Sequence, residues 1–205
     1  MIAIIDYGMG NLFPISSSLK SLGQDVVITG DPAVIKSADK IILPGVGAFG
    51  DASDRLFSTG LADVIIDEAK SGKPLMGICL GMQLLFDKSF EYGEHKGLGL
   101  IPGEVVPMEG VIDPELKVPQ IGWNALHFTG KECAAFKNTR EGDHVYFVHS
   151  FYATNCEADT VCTTEYSAEL TAAVAKDNVI GCQFHPEKSG KIGLAILSAF
   201  CEMEA

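Results

Sequence analysis

The sequence has no apolar run long enough to cross a membrane and no excess of basic residues. A membrane-spanning helix needs about 20 consecutive apolar residues, and the apolar runs of this chain are much shorter. The formal net charge is −12, whereas a nucleic-acid-binding protein presents a basic surface. Neither a membrane nor a nucleic acid is therefore expected as a partner. A small polar ligand or a basic protein surface fits the charge better.

Signals for secretion and for metal binding are also missing. Residues 1–8 (MIAIIDYG) contain no basic residue and only a short apolar stretch, so no signal peptide is expected. The six cysteines form no C-x-x-C pair and have no regular spacing, which argues against a zinc site and a disulfide framework. No metal or cofactor is predicted, and reduced thiols in the cytoplasm are the simplest interpretation.

Strand and helix patterns alternate in the first half of the chain. The predicted strands are 2–5, 25–29, 40–43 and 75–78, and the predicted helices are 11–22, 61–70 and 80–88. This alternation predicts an α/β fold, with a mostly parallel central sheet and helices on both faces.

The second half changes to short strand-like runs separated by Gly, Pro, Asn and Asp. These runs are 98–108, 118–128, 145–151, 160–164, 172–175 and 179–184, and a closing helix is predicted at 190–203. They predict antiparallel strands added to the parallel core. Because the 205 residues contain no repeat and no long linker, one domain spanning residues 1–205 is expected.

A cysteine separates a predicted strand from a predicted helix in GICLG, residues 77–81. The G-x-C-x-G pattern predicts a nucleophile elbow, a sharp strand-to-helix turn with Cys79 at its tip. Gly77 and Gly81 relieve crowding in such a turn because they have no Cβ atom, and a helix N-terminus favours a thiolate. A free cysteine is more often a small buried apolar residue, so a nucleophile here needs a base from elsewhere in the chain.

A candidate base follows the last predicted strand in FHPEK, residues 184–188. The imidazole of His185 can take a thiol proton and later protonate a leaving amine. In an extended segment Glu187 would lie on the same face, where it would orient the imidazole and stabilise its charged form. Taken alone, the segment is equally typical of a surface loop with an incidental histidine.

The third predicted strand runs into a glycine-rich turn, LPGVG, residues 43–47. Such a turn can direct backbone N–H groups at a developing oxyanion, and the residue after the nucleophile, Leu80, would supply a second donor. Alone, the turn is more typical of an ordinary strand-to-helix connection. DYGMGN (6–11) lacks the third glycine of a dinucleotide fingerprint and predicts no nucleotide site. His149 is interpreted as a hydrogen-bonded, half-buried histidine rather than a second base.

Together, GICLGMQ (77–83) and FHPEK (184–188) resemble the two signatures of the class I, or triad, glutamine amidotransferases. The resemblance spans nearly the whole chain. It implies a flavodoxin-like fold and a Cys-His-Glu triad that hydrolyses glutamine and passes ammonia to a synthase. The segments DYGMGN, LPGVGAFGDA, QIGWN, YFVHSFY and FHPEKSGKIG narrow it to the branch that serves histidine biosynthesis. Members of that branch form a heterodimer with a (β/α)8 cyclase.

The resemblance also implies roles for individual residues. Cys79 would be the nucleophile, His185 the acid and base, and Glu187 the residue that orients His185. The oxyanion would be held by the N–H groups of Val46 and Leu80, with the Val46 peptide turned into place by the partner. The residues expected to contact glutamine are Gly45, Gly47, Gln83, Glu91, Ser150 and Phe151. Among these, Glu91 would bind the α-amino group of the glutamine. Those expected at the partner interface are Asn11, Trp123, Tyr146 and Lys188.

Two other functions fit the same sequence. The chain could be a different amidotransferase subunit or a cysteine hydrolase of the same fold. It could also be a non-enzymatic, flavodoxin-like binding module in which the cysteine and histidine are unused. Glutamate release from glutamine, measured with and without a cyclase, distinguishes the three.

Overall fold

The computed structural model describes residues 1–204. Its first half alternates strands and helices, as the sequence predicts. These elements are β1 (Ile2–Ile5), α1 (Leu12–Ser21), β2 (Val26–Thr29), α2 (Pro32–Ser37), β3 (Lys40–Leu43), α3 (Phe49–Ser58), α4 (Leu61–Lys70), β4 (Leu75–Ile78) and α5 (Leu80–Gln83). No helix among the described residues is long and apolar enough to cross a membrane.

The second half is mostly short strands. They are β5 (Lys88–Ser89), β6 (His95–Lys96), β7 (Glu104–Pro107), β8 (Gln120–Ala125), β9 (His127–Phe128), β10 (His144–His149), β11 (Phe151–Thr154), β12 (Thr160–Glu165), β13 (Glu169–Lys176) and β14 (Val179–Cys182), followed by α6 (Gly190–Cys201). Single 3-10 turns occur at Ala134–Phe136, Glu157–Asp159 and Pro186–Lys188.

The central sheet has eight strands in the order β2-β1-β3-β4-β14-β13-β12-β9. The first five strands are parallel, and the last three are antiparallel additions. Smaller sheets pair β10 with β8 and place β11, β7, β5 and β6 side by side. Because β3, β4 and β14 are adjacent and parallel, the loops that follow them meet at one edge, where open α/β sheets bind ligands. The predicted α/β architecture with added antiparallel strands is confirmed.

Side chains of the central strands alternate between two apolar layers. In β3, Ile41 and Leu43 pack with residues of α2, α3 and α4, whereas Ile42 packs with residues of α1 and α6. All three side chains are fully buried. Helices therefore cover both faces of the sheet, which explains why its parallel strands are continuous apolar runs.

The prediction of a helix over residues 80–88 is wrong, because α5 ends at Gln83. The carbonyls of Leu84 and Leu85, which would extend the helix, instead accept hydrogen bonds from the N–H groups of Leu98 and Leu100 at 2.8 and 2.9 Å. These bonds also fix residues 98–101 as a loop, so the strand predicted at 98–108 is limited to β7. The short helix α2 and the longer helix α3 were not predicted.

Candidate active site

Cys79 occupies the turn between β4 and α5. Its backbone has φ 55° and ψ −114°, a strained combination that clusters at functional sites. The Cys79 N–H donates to the carbonyl of Cys182 at 2.7 Å, which ties the turn to the end of β14. The residue is 9% exposed. The strand-turn-helix geometry predicted for GICLG is present.

Both glycines of the turn are required by close backbone contacts. A Cβ atom on Gly77 would lie 2.8 Å from the Cα atom of Met82, and one on Gly81 would overlap the carbonyl oxygen of Leu43. Real Cβ atoms do not approach backbone atoms so closely. Gly81 thus lets α5 pack directly on the end of β3. Both glycines relieve crowding in the turn, as predicted.

His185 and Glu187 form a buried pair directly after β14. The Nδ1 atom of His185 lies 2.8 Å from Oε1 of Glu187, and the two side chains are 5% and 2% exposed. The backbone N–H of His185 donates to the carbonyl of Tyr146 at 2.9 Å. The extended geometry predicted for this segment is wrong, since Pro186–Lys188 forms a 3-10 turn. That turn brings the carboxylate back to the imidazole.

The surroundings of His185 favour its charged form. Burial acts to lower the pKa of His185, but hydrogen bonds and negative charge from Cys79 and Glu187 outweigh burial and raise the pKa to about 9. Because Nδ1 is bonded to Glu187, Nε2 is the ring nitrogen left for Cys79.

A cavity of about 310 Å³ opens beside these groups, a size that suits a small ligand. It is lined by Val46, Gly47, Cys79, Leu80, Gln83, Glu91, Pro119, Val148, His149, Ser150, His185 and Lys188. Three further predicted site residues lie behind the lining: Gly45 against Leu80, Phe151 with its carbonyl bonded to Gln83, and Glu187 behind His185. The lining does not include Asn11, Trp123 or Tyr146, the remaining predicted interface residues.

Glu91 brings a carboxylate to the cavity and is anchored to a neighbouring helix. Its Oε2 atom accepts the N–H of Phe49, the first residue of α3, at 2.6 Å. Burial raises the pKa of Glu91, and the hydrogen bond from Phe49 partly opposes this rise. An acidic group beside the cavity fits a cationic group of a ligand, such as an amino group.

The prediction that His149 is a hydrogen-bonded histidine is confirmed, although the residue is buried rather than half-buried. Its Nδ1–H group donates to the carbonyl oxygen of Phe151 at 2.8 Å, and its Nε2 atom lies 3.0 Å from the side-chain amide of Gln120. Burial lowers the pKa of His149 to about 4. The imidazole is therefore neutral near pH 7, and it lines the cavity as an uncharged group.

Sequence reasoning missed Gln183, which lies between β14 and the FHPEK segment. The residue is fully buried, and its Nε2 atom lies 3.9 Å from Sγ of Cys79. The available signal was its position at the end of a strand that leads into the site, two residues before His185.

Fold and site together define a class of protein. A cysteine at a strained strand-to-helix turn meets a buried histidine–carboxylate pair at the carboxyl edge of a mostly parallel sheet. This is the arrangement of a hydrolase that uses a cysteine nucleophile on an acyl carbon.

Comparisons with known proteins specify the family. The glutamine amidotransferase class-I family model matches residues 3–202. The imidazole glycerol phosphate synthase subunit HisH of Caldanaerobacter subterraneus subsp. tengcongensis is 50% identical over 204 residues, which cover 99% of this chain and 98% of that protein. The HisH subunit of Lacticaseibacillus casei is 51% identical over 203 residues, which cover 99% and 96%.

A solved structure gives the same fold. PurLQS from Thermotoga maritima superimposes with a TM-score of 0.73 at 19% sequence identity, covering 98% of this chain and 96% of that chain. At this identity the likeness supports the fold alone. With the family model and the HisH relatives, it confirms the predicted fold and family resemblance. The chain belongs to the class-I glutamine amidotransferases, and within them to the HisH proteins.

Proposed function

We propose that this protein is the glutaminase subunit of an imidazole glycerol phosphate synthase. It hydrolyses L-glutamine to glutamate and ammonia and delivers the ammonia to a HisF-like (β/α)8 cyclase. The cyclase makes imidazole glycerol phosphate and AICAR in histidine biosynthesis. The observation that carries the proposal is the convergence of Cys79, His185 and Glu187 beside one cavity, in a chain 50% identical to a HisH subunit. Residues 1–205 act as one domain in the cytoplasm, where the six free cysteines stay reduced.

The proposed reaction proceeds through a thioester. The Cys79 sulfur attacks the side-chain amide carbon of glutamine, and the C–N bond of the resulting tetrahedral intermediate breaks. His185 donates a proton to the departing nitrogen, which leaves as ammonia. Water, deprotonated by His185, then cleaves the glutamyl thioester to release glutamate and restore the thiol. Glu187 holds the imidazole in orientation and stabilises its charged form throughout.

Two backbone N–H groups are proposed to hold the oxyanion. The Leu80 N–H belongs to the first turn of α5, whose N–H groups have no partner within the helix. The Val46 N–H belongs to the loop after β3, where Val46 is 42% exposed and lies between two glycines. Gly45 and Gly47 lower the conformational cost of turning the Val46 peptide groups. We propose that the cyclase turns them into place, since a misplaced oxyanion donor costs roughly 10²–10³ in rate.

The remaining lining residues are proposed to bind the amino-acid part of glutamine. Glu91 would hold the α-amino group through its carboxylate. Gln83, Ser150 and Gly47 line the cavity and would bind the rest of the ligand, with Gly45 and Phe151 supporting them from behind.

A surface beside the cavity is proposed to bind the cyclase. Trp123 on β8 is 53% exposed and lies opposite Tyr146 on β10, with their ring centroids 6.1 Å apart. The Nζ atom of Lys188 lies 5.8 Å from the centroid of the Tyr146 ring, and Lys188 also lines the cavity. Exposed Asn11 precedes α1, and α1 packs against the turn at Pro186–Lys188. This surface joins aromatic, cationic and amide groups next to the site.

Glutamate release from glutamine tests the proposed function. The purified chain is assayed alone, with a HisF-like cyclase, and with the cyclase and its nucleotide substrate. We expect the rate to rise at least about 10²-fold in the complete mixture, because the oxyanion site is then formed. Fluorescence of Trp123, the single tryptophan, reports partner binding directly. Glutamate release at the same rate with and without the cyclase would favour a different hydrolase. No release under any condition would favour a non-enzymatic module.

Activity is expected to fall as the pH rises through about 9. The raised pKa of His185 means that its protonated form is fully present well below that pH and is lost above it. Without that proton, ammonia cannot be expelled. In Glu187→Gln the fall should begin at a lower pH, because the carboxylate is among the groups that raise the pKa. The measurement is kcat/KM for glutamine against pH in the complex, which reports groups of the free enzyme.

Thermal unfolding at each pH serves as the control for that profile, so that loss of structure is not mistaken for loss of the proton. If kcat/KM falls at the same alkaline pH in Glu187→Gln and in the wild type, Glu187 does not help to hold the proton on His185.

A further inference from the structure

Gln183 connects the nucleophile to a residue of the ligand cavity. Its side chain is fully buried. The Oε1 atom accepts a hydrogen bond from Nε2 of Gln83 at 3.0 Å, and the Nε2 atom lies 3.9 Å from Sγ of Cys79. The proposed mechanism assigns no role to Gln183. The side-chain amide of Gln183 nevertheless contacts both the Cys79 sulfur and Gln83, which lines the cavity.

The hydrogen bonds of Gln83 determine which end of its amide faces the cavity. Its Nε2 atom donates to the carbonyl of Phe151 at 3.1 Å and to Oε1 of Gln183 at 3.0 Å. A primary amide has two N–H donors, so these two bonds use both. Gln83 lines the cavity, and its Oε1 atom is the polar atom left to face a ligand.

The opposite amide orientation is disfavoured at both ends of this network. Turning the Gln83 amide alone would set its oxygen against two other oxygens, those of Phe151 and Gln183. Turning Gln183 as well would replace the contact between its N–H group and the Cys79 sulfur with an oxygen, which cannot donate to the sulfur. The Phe151 carbonyl cannot reverse because it belongs to β11. The backbone acceptor and the sulfur therefore fix both amides in one direction.

We propose that Gln183 is a positioning residue that sets the ligand specificity of the site. By holding the Gln83 amide with its oxygen toward the cavity, it makes the site accept an N–H donor of the ligand at that point. This inference rests on the proposed glutaminase function, in which glutamine supplies the donor through its ammonium or amide group. A ligand with an oxygen at the same point is repelled.

The test uses Gln183→Met, which keeps the length of the side chain but removes its donors and its acceptor. In the complex with the cyclase, KM for glutamine should rise about tenfold, the usual order for one lost hydrogen bond, and kcat should change less. An unchanged KM in Gln183→Met would overturn the inference.

A double-mutant cycle separates positioning from general damage to the fold. Gln83→Leu should itself raise KM, and adding Gln183→Met to it should raise KM no further, because Gln183 acts through Gln83. Effects that multiply would contradict the inference. Ser53→Ala is the control: it removes a part-buried hydrogen bond, from Ser53 Oγ to the Lys96 carbonyl at 2.6 Å, and should lower Tm without changing KM. If the wild-type complex releases no glutamate, the proposed function has failed instead.

Discussion

Replacing Cys79 with alanine is expected to abolish glutamate release, with kcat in the complex falling at least about 10⁴-fold. Without the sulfur no thioester can form, and hydrolysis would depend on a water molecule that the site does not position. The variant should fold normally, because alanine keeps the Cβ atom and the N–H bond to Cys182. The measurement is glutamate release at saturating glutamine in the presence of the cyclase and its nucleotide substrate.

Supplying ammonia directly provides the control for this variant. With its nucleotide substrate present, the Cys79→Ala complex should make cyclase product from added ammonium salts at the wild-type rate. Ammonia is all that the cyclase needs from this subunit. Loss of that activity would indicate a folding or assembly defect. Glutamate release that persists in Cys79→Ala would rule out Cys79 as the nucleophile.

Other cysteines serve as matched controls for reactivity. Cys133 and Cys201 are half-buried and do not line the cavity. Burial raises the pKa of Cys133, and it raises the pKa of Cys201 to about 11. Both are therefore thiols near pH 7, and alanine at either position should leave glutamate release unchanged. Iodoacetamide at pH 7 should label the wild type once, and Cys79→Ala should remain unlabelled.

Local patterns in the sequence, together with the family resemblance, were sufficient to predict where the proposed catalytic residues lie. Strands at 2–5, 40–43 and 75–78 and the helix at 61–70 are observed with their predicted bounds, because each is a short, mostly apolar or amphipathic run. The loops after parallel strands share one edge of the sheet. That rule is enough to predict that Cys79 and His185, far apart in the chain, lie at the same site.

The features that were missed depend on contacts between distant segments. The end of α5 is set by bonds from residues 98–101 to Leu84 and Leu85, which no periodicity in residues 80–88 reveals. The sequence of helix α3 does contain a helical pattern, since Phe49, Ala52 and Leu56 are buried at helical spacing. The nearby glycines made the segment look like a loop. The bond that gives Gln183 its place joins it to Gln83, a hundred positions away in the chain.

Replacing Gly81 with alanine is expected to destabilise the protein by about 3 kcal/mol or more. The added Cβ would overlap the carbonyl oxygen of Leu43, which is backbone and cannot turn aside as a flexible side chain would. Gly72→Ala is the matched control: Gly72 has φ +97° but no atom within 4 Å of an added Cβ. It carries backbone strain alone, which costs about 1–2 kcal/mol. Equilibrium unfolding in urea measures both free energies.

The larger cost of Gly81→Ala has a catalytic consequence, because relieving the overlap must move α5 away from the end of β3. Leu80, the first residue of α5, and Val46, in the loop after β3, would then separate, and with them the two proposed oxyanion donors. Whatever fraction of Gly81→Ala folds should therefore bind the cyclase but release glutamate roughly 10²-fold more slowly. Gly72→Ala should keep its full rate. Equal unfolding free energies for the two variants would show that α5 does not depend on close packing against β3.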